Sequence, residues 1–181
     1  MGRNLWLDGR FFGIFVFRIL FVLTICAGNS YWVALVSEGS GLSLRRIARI
    51  VREERRKHDY IVALFQMYLE RAGVPRSSLL VMEEYKGLQP DIVWIHNGFP
   101  VVVFEVMDPD ANIRDPAVRR RFESLLILPY IQVLRPWYVV LTDGISLFIY
   151  DYQFTLVYSV EDLESIGSEE EHKIRKILFL E

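Results

Sequence analysis

Cysteine is all but missing from this chain. The single Cys26 excludes an internal disulfide and any metal cluster built from several thiolates. Histidine is nearly as scarce, and His58, His96 and His172 stand far apart, with none of the spacing that marks a zinc site. No glycine-rich phosphate loop, nucleophile motif or internal repeat is present. The formal net charge is only -2, which gives the chain as a whole no pull toward a polyanion. Any nucleic-acid signal must therefore come from local charge.

What the chain has in plenty is apolar and aromatic side chains, over a length of 181 residues that suits one domain with a sizeable core. Residues 1–41 read as an apolar N-terminal segment and linker, and residues 42–181 as the folded domain. The run Phe11 to Gly28 is 18 residues of mostly hydrocarbon, barely the length of a spanning helix. Arg18 sits near its middle, where a charge costs roughly 2.5 to 3.5 kcal/mol on insertion scales. Four readings stand side by side: membrane attachment through residues 11–28, a signal peptide with Arg3 and Arg10 as its basic region, a working chain that starts near Leu35 or Val36, and a buried helix or strand. The polar stretch Ser37 to Gly41 marks the boundary.

Beyond it, Leu44, Ile47, Ile50 and Val51, then Ile61, Leu64, Phe65, Tyr68 and Leu69, recur at helical spacing, predicting one long helix or two up to Gly73. Between residues 45 and 57 seven basic residues face only two acidic ones. Such a helix either tracks phosphates, through Arg45, Arg49, Arg52 and Arg56, or is a solvated face laced by pairs such as Glu53 with Lys57.

The most informative stretch is Pro90 to Met107, PDIVWIHNGFPVVVFEVM. Two runs rich in Val, Ile and aromatics flank His96-Asn97-Gly98-Phe99-Pro100, predicting an antiparallel hairpin. A loop of odd length makes paired positions sum to 196 and sets Asp91 opposite Glu105 on one face with Met107. A two-residue Asn97-Gly98 turn makes the sum 195 and throws Glu105 to the other side. In the first register the two carboxylates would repel each other and lose hydration, and a hard divalent cation would satisfy both. Mg²⁺ or Mn²⁺ suits such a pair, with the Val106 carbonyl as a further oxygen ligand. That register also predicts a basic side chain, other than residue 107, near both.

The flanking segments follow. Ser78 to Tyr85 is a strand candidate. Asp115-Pro116 supplies an N-cap and a first-turn proline for a helix whose buried face is Val118, Phe122, Leu125 and Leu126, kinked or ended by Pro129. Trp137 to Thr142 reads as a buried strand, with a right-handed crossover if it runs parallel to the hairpin's second strand. Asp143-Gly144 turns it into a strand from Ser146 to Tyr150. Residues 160–171 read as helical, and residues 173–181 as helix or edge strand.

Pro-Asp, strand, turn, strand and Glu in this order resemble the PD-(D/E)XK nuclease superfamily, and within it the N-terminal nuclease domain of type I restriction enzyme R subunits. The likeness rests on PDIVWIHNGFPVVVFEV and on WYVVLTDGISLFIYD, and spans roughly residues 53–151. It implies an α/β, restriction-endonuclease-like αβββαβ core, a mixed sheet flanked by helices. It implies a cytoplasmic Mg²⁺-dependent DNA endonuclease of restriction or defence type, with Asp91 and Glu105 as catalytic metal ligands, Arg119 and Arg120 joining the basic helix on DNA, and a restriction complex or second copy as partner. Glu54 stands where the family's first helix can add a carboxylate. The family's Lys two residues after the Glu is Met107 here, so Lys86 becomes the candidate catalytic cation, with Arg119, Arg120 and Lys57 behind it. The family's helix Gln, four residues before Tyr130, is Leu126. These two departures carry the alternative: a nuclease fold without chemistry, serving as a nucleic-acid-binding or assembly module.

Overall fold

The computed structural model describes residues 41–54 and 57–180, and residues 41–181 cluster as a compact unit. The expectations for residues 11–28 and for Arg56 lie outside the described residues. Among the described residues no helix is long and apolar enough to cross a membrane.

The residues at helical spacing form two helices, α1 (Leu44–Glu54) and α2 (His58–Arg71). All nine apolar residues picked out by helical spacing are buried. The strands β1 (Leu79–Val81), β2 (Ile92–His96) and β3 (Phe99–Val106) form an antiparallel meander. A long helical connection then leads to β4 (Tyr138–Thr142), which pairs parallel with β3. Antiparallel β5 (Leu147–Asp151) and β6 (Leu156–Val160) complete a mixed six-stranded sheet in chain order, and α5 (Ser168–Ile177) follows. The domain is thus α/β, with β3 inside the sheet and helices on both faces.

Alternation along the strands divides the core. Val93, Val103, Val139, Leu141 and Phe148 pack on one face with Ile127, Tyr130, Ile131 and Leu134. On the other face Phe104 meets Phe65 of α2, ring centroids 5.7 Å apart.

Four expectations need correction. The first strand stops at Val81 because Met82 takes a left-handed conformation, φ 54°, although its N–H still donates to the Asp91 carbonyl. Pro129 does not end its helix. The helix α3 (Pro116–Phe122), capped by Asp115 as expected, passes through a π turn at Glu123–Ile127 into α4 (Leu128–Leu134). Pro129 follows directly on the π turn, whose wider geometry accommodates the missing N–H and the ring inside a continuing helix. The wider turn also shifts the buried face, leaving Leu125 59% exposed while Ile127, Tyr130, Ile131 and Leu134 turn inward. Finally, residues 160–167 are not helical, and the strand β6 before them is half-exposed at the sheet edge.

The turn after β4 locks this sheet to α1 and α2. Gly144 has φ +79°, and a Cβ there would lie 2.9 Å from Val51 Cγ2 and 3.1 Å from Ile61 Cγ2. Gly144→Ala combines backbone strain with overpacking and should cost about 1–3 kcal/mol, read as a lowered denaturation midpoint in urea.

Candidate functional site

The hairpin closes through the two-residue Asn97-Gly98 turn and not through a loop of odd length, yet Glu105 stays on the face of Asp91 because the register shifts along the strands. At the tip, His96 pairs with Phe99 and Ile95 with Pro100, closed by Asn97 and Gly98 with positive φ. A bulge then leaves Val101 unpaired against β2, and from Trp94↔Val102 to Ile92↔Phe104 the positions sum to 196. One step further, Asp91 lies opposite Glu105. The carboxylates therefore share a face, and Asp91 Oδ2 accepts the Val106 N–H at 2.7 Å.

Three elements close around the pair, and each of the two residues is only 8% exposed. From α4, the Tyr130 hydroxyl donates to Glu105 Oε2 at 2.8 Å. From the start of α2, His58 Nε2 lies 3.1 Å from Asp91 Oδ1, and its Nδ1 lies 3.0 Å from Asp59 Oδ1. The His58 N–H donates to Asp108 Oδ1 at 3.2 Å, which ties the helix start to the loop after β3.

Burial pushes the Glu105 carboxyl up to about 8, helped by the negative charge of Asp91 and opposed by the Tyr130 hydroxyl. Burial also raises Asp91, but the Val106 N–H and His58 pull against it. His58 is held down by burial, yet its bonds to Asp59 and Asp91 win and its value rises. Two carboxylates with one proton or one cation between them describe the electrostatics.

These donors suit a hard cation. Asp91, Glu105 and the Val106 carbonyl offer oxygen only, and Mg²⁺ accepts such sparse sets because it keeps several waters. No set of three or more His, Cys, Asp or Glu converges as metal ligands among the described residues.

The other predicted residues are dispersed. Lys86 is exposed at the tip of the loop between β1 and β2, its Nζ 5.3 Å from the Tyr85 ring centroid. Arg119 turns inward, its guanidinium 4.3 Å from the Phe148 ring centroid and 3.4 Å from Glu123. Arg120 and Arg45 are exposed. Arg52 bonds to Glu164 and Asp162, and Arg49 reaches Glu164 at 3.5 Å, so an acidic loop already neutralises part of the basic helix. Glu54 ends α1 on its exposed side, and His58 is the helix residue that touches Asp91. Met107 lies on the carboxylate face, half-buried against the core there. Sequence reasoning set His58 aside because no second histidine shares its spacing. The available signal was its place at the start of a helix that follows a basic run, next to Asp59.

The raised Glu105 gives a pH signature. In the unfolded chain this carboxyl ionises near its ordinary 4.5, in the fold near 8. Unfolding therefore releases a proton between those values, and stability is full below pH 4.5, falls as pH rises to 8, and is flat above. His58, also raised, loses its contribution in the same direction. In EDTA, Glu105→Gln should flatten most of this slope and exceed the parent chain at pH 8 by on the order of 3 kcal/mol, with little difference at pH 4. Urea titrations across that range measure it, and a slope unchanged by the substitution would contradict the assignment.

Comparisons with protein-family models, with characterised proteins and with solved structures return no match to this chain.

Proposed function

We propose that this domain is a restriction-endonuclease-like, PD-(D/E)XK-type phosphodiesterase that cleaves DNA with Mg²⁺ or Mn²⁺. One observation carries the reading: the buried Asp91 and Glu105 share a face, with Asp91 held by the Val106 N–H and Glu105 on an interior strand next to a parallel neighbour. Asp91, Glu105 and Val106 would hold the cation, which when bound makes water a nucleophile at neutral pH and offsets charge on the phosphate. Tyr130 orients Glu105, and Asp91 is held by the Val106 N–H. With Met107 where the family has Lys, His58 is the basic side chain beside the pair, its Nε2 carrying a proton toward Asp91 Oδ1. This reading places the protein in the cytoplasm, with a restriction complex or a second copy as its protein partner.

A nuclease-fold module that binds nucleic acid without cutting it is the second reading. Met107 favours it, since a thioether packed against the core brings no charge to the site.

Linear and supercoiled DNA incubated with Mg²⁺ or Mn²⁺ should be cut by the parent chain, and not by Asp91→Ala or Glu105→Ala. Cleavage that survives both substitutions refutes the proposal. Independently of cleavage, Mn²⁺ at about a hundred times its Kd should stabilise the parent chain at pH 8 by about 2.7 kcal/mol and leave Glu105→Gln nearly unmoved in a thermal melt. DNA binding with no metal dependence and no cleavage would select the second reading.

A further inference from the structure

At the end of the sheet away from the carboxylates, two large aromatic side chains stand in the open. Trp137 and Tyr152 are each 58% exposed. They share an open groove of about 730 Å³ with Ile131, Gln132, Arg135 and Pro136. Phe179 braces Trp137 edge-on, ring centroids 6.2 Å apart, so the indole is supported from behind while much of it stays exposed. Arg135 holds a left-handed φ of 54° where the chain leaves α4, a conformation usually left to Gly or Asn. None of the six lining residues is acidic, and the nearby Asp151 carboxylate accepts the N–H groups of Gln153 and Thr155 through its Oδ1.

The position in the fold matters as much as the composition. Val102 pairs with Tyr138 and Glu105 with Leu141, so Trp137 extends the same alternation and falls on the face of Glu105. Tyr152 sits in the turn that follows β5 and lines the same groove as Trp137. The four residues separating Trp137 from Leu141 span about 13 Å of strand. Helix α4 bridges that interval, with Tyr130 on Glu105 at one end and Arg135 beside the groove at the other.

We infer that this groove binds unpaired nucleobases of a single-stranded nucleic acid, with Trp137 and Tyr152 as the stacking surfaces, Arg135 on the flanking phosphate and Gln132 on a base edge. Every base has a π-face and every linkage a negative charge, so aromatic rings beside a cation, with no carboxylate among the lining residues, match this ligand without demanding a sequence. A duplex keeps its bases stacked inside and cannot use the groove. The inference deepens the nuclease reading by supplying a strand-holding site, and rests on it only for the purpose of the binding.

The test is a binding titration in EDTA, where no cleavage occurs. The full chain is mixed with a labelled short oligothymidylate, an oligouridylate, an abasic oligomer of equal length, or a duplex. Trp137→Ala should weaken binding of both base-bearing single strands about ten-fold or more, while Trp137→Phe keeps most of it. The two single strands reveal whether DNA or RNA is preferred. The abasic oligomer and the duplex should bind more weakly and ignore residue 137. Arg135→Ala should lower the salt slope by about 0.7. Melting curves establish that each variant is folded. Equal binding by Trp137→Ala and the parent chain overturns the inference, as does an abasic oligomer that binds as well as thymidylate. A parent dimer in sedimentation that Trp137→Ala converts to monomer would also overturn it, by assigning the face to a second copy. Because Asp91→Asn and Glu105→Gln should leave this binding intact, failure of the groove and failure of the nuclease reading are separable.

Discussion

A single hydrogen bond, from the Val106 N–H to Asp91 Oδ2 at 2.7 Å, stands where the β2–β3 ladder would otherwise continue with another backbone pair. By register the residue opposite Val106 is Pro90. A carboxylate reaching back from the next position fills that place and is thereby fixed beside Glu105. Everything chemically unusual nearby depends on this exchange of a backbone acceptor for a charged one. It sets one buried carboxyl group beside another, so that burial, and after it the charge of Asp91, lifts Glu105, while the Tyr130 hydroxyl bonds to Glu105 and His58 sits on the free side of Asp91. Burying a carboxylate pair without a counter-charge is costly, and such cost persists in folds mainly where a site uses it.

The helices matter to the site through what they deliver. The first helix pair is split by the chain between Glu54 and His58, so that α2 starts against the loop after β3 and aims its first side chain at Asp91. The acidic segment before α5 takes up Arg49 and Arg52, which removes much of what a charge count would offer to a polyanion. Arg119 is similarly absorbed, over Phe148 and against Glu123. Basic residues that look alike in the sequence thus fall into two groups, those that tie the domain together and those left facing solvent.

This division also explains what could be read from the sequence and what could not. The hairpin, the parallel strand after it and both early helices were legible because each carries a strong local signal: turn residues, a continuous apolar run, or helical spacing. Register was only half legible. The turn chemistry at Asn97-Gly98 argued for one sum and the carboxylate pair for the other, and a bulge at Val101 satisfies both, which no local propensity announces. β6 escaped notice because an edge strand with half-exposed residues has no clean alternation. His58 and the outward Trp137 were invisible as functional candidates because their partners, Asp91 and Tyr152, are brought to them only by tertiary structure.

The π turn at Glu123–Ile127 has a further meaning. One extra residue in a turn rotates everything downstream by about 100° relative to what lies upstream. The single long helix across this face therefore behaves as two independently phased cylinders. Its first half answers to Phe148 through Arg119, and its second half answers to Glu105 through Tyr130. Sequence drift in α3 can be absorbed at the seam without turning Tyr130 away from its carboxylate. Loss of one residue at the seam would close it to an ordinary α turn with Tyr130 still facing its carboxylate, whereas loss of one residue at Leu128 or Pro129 would swing that hydroxyl a quarter-turn out of reach while leaving helix content almost unchanged, a lesion of alignment that spectroscopy of secondary structure would miss.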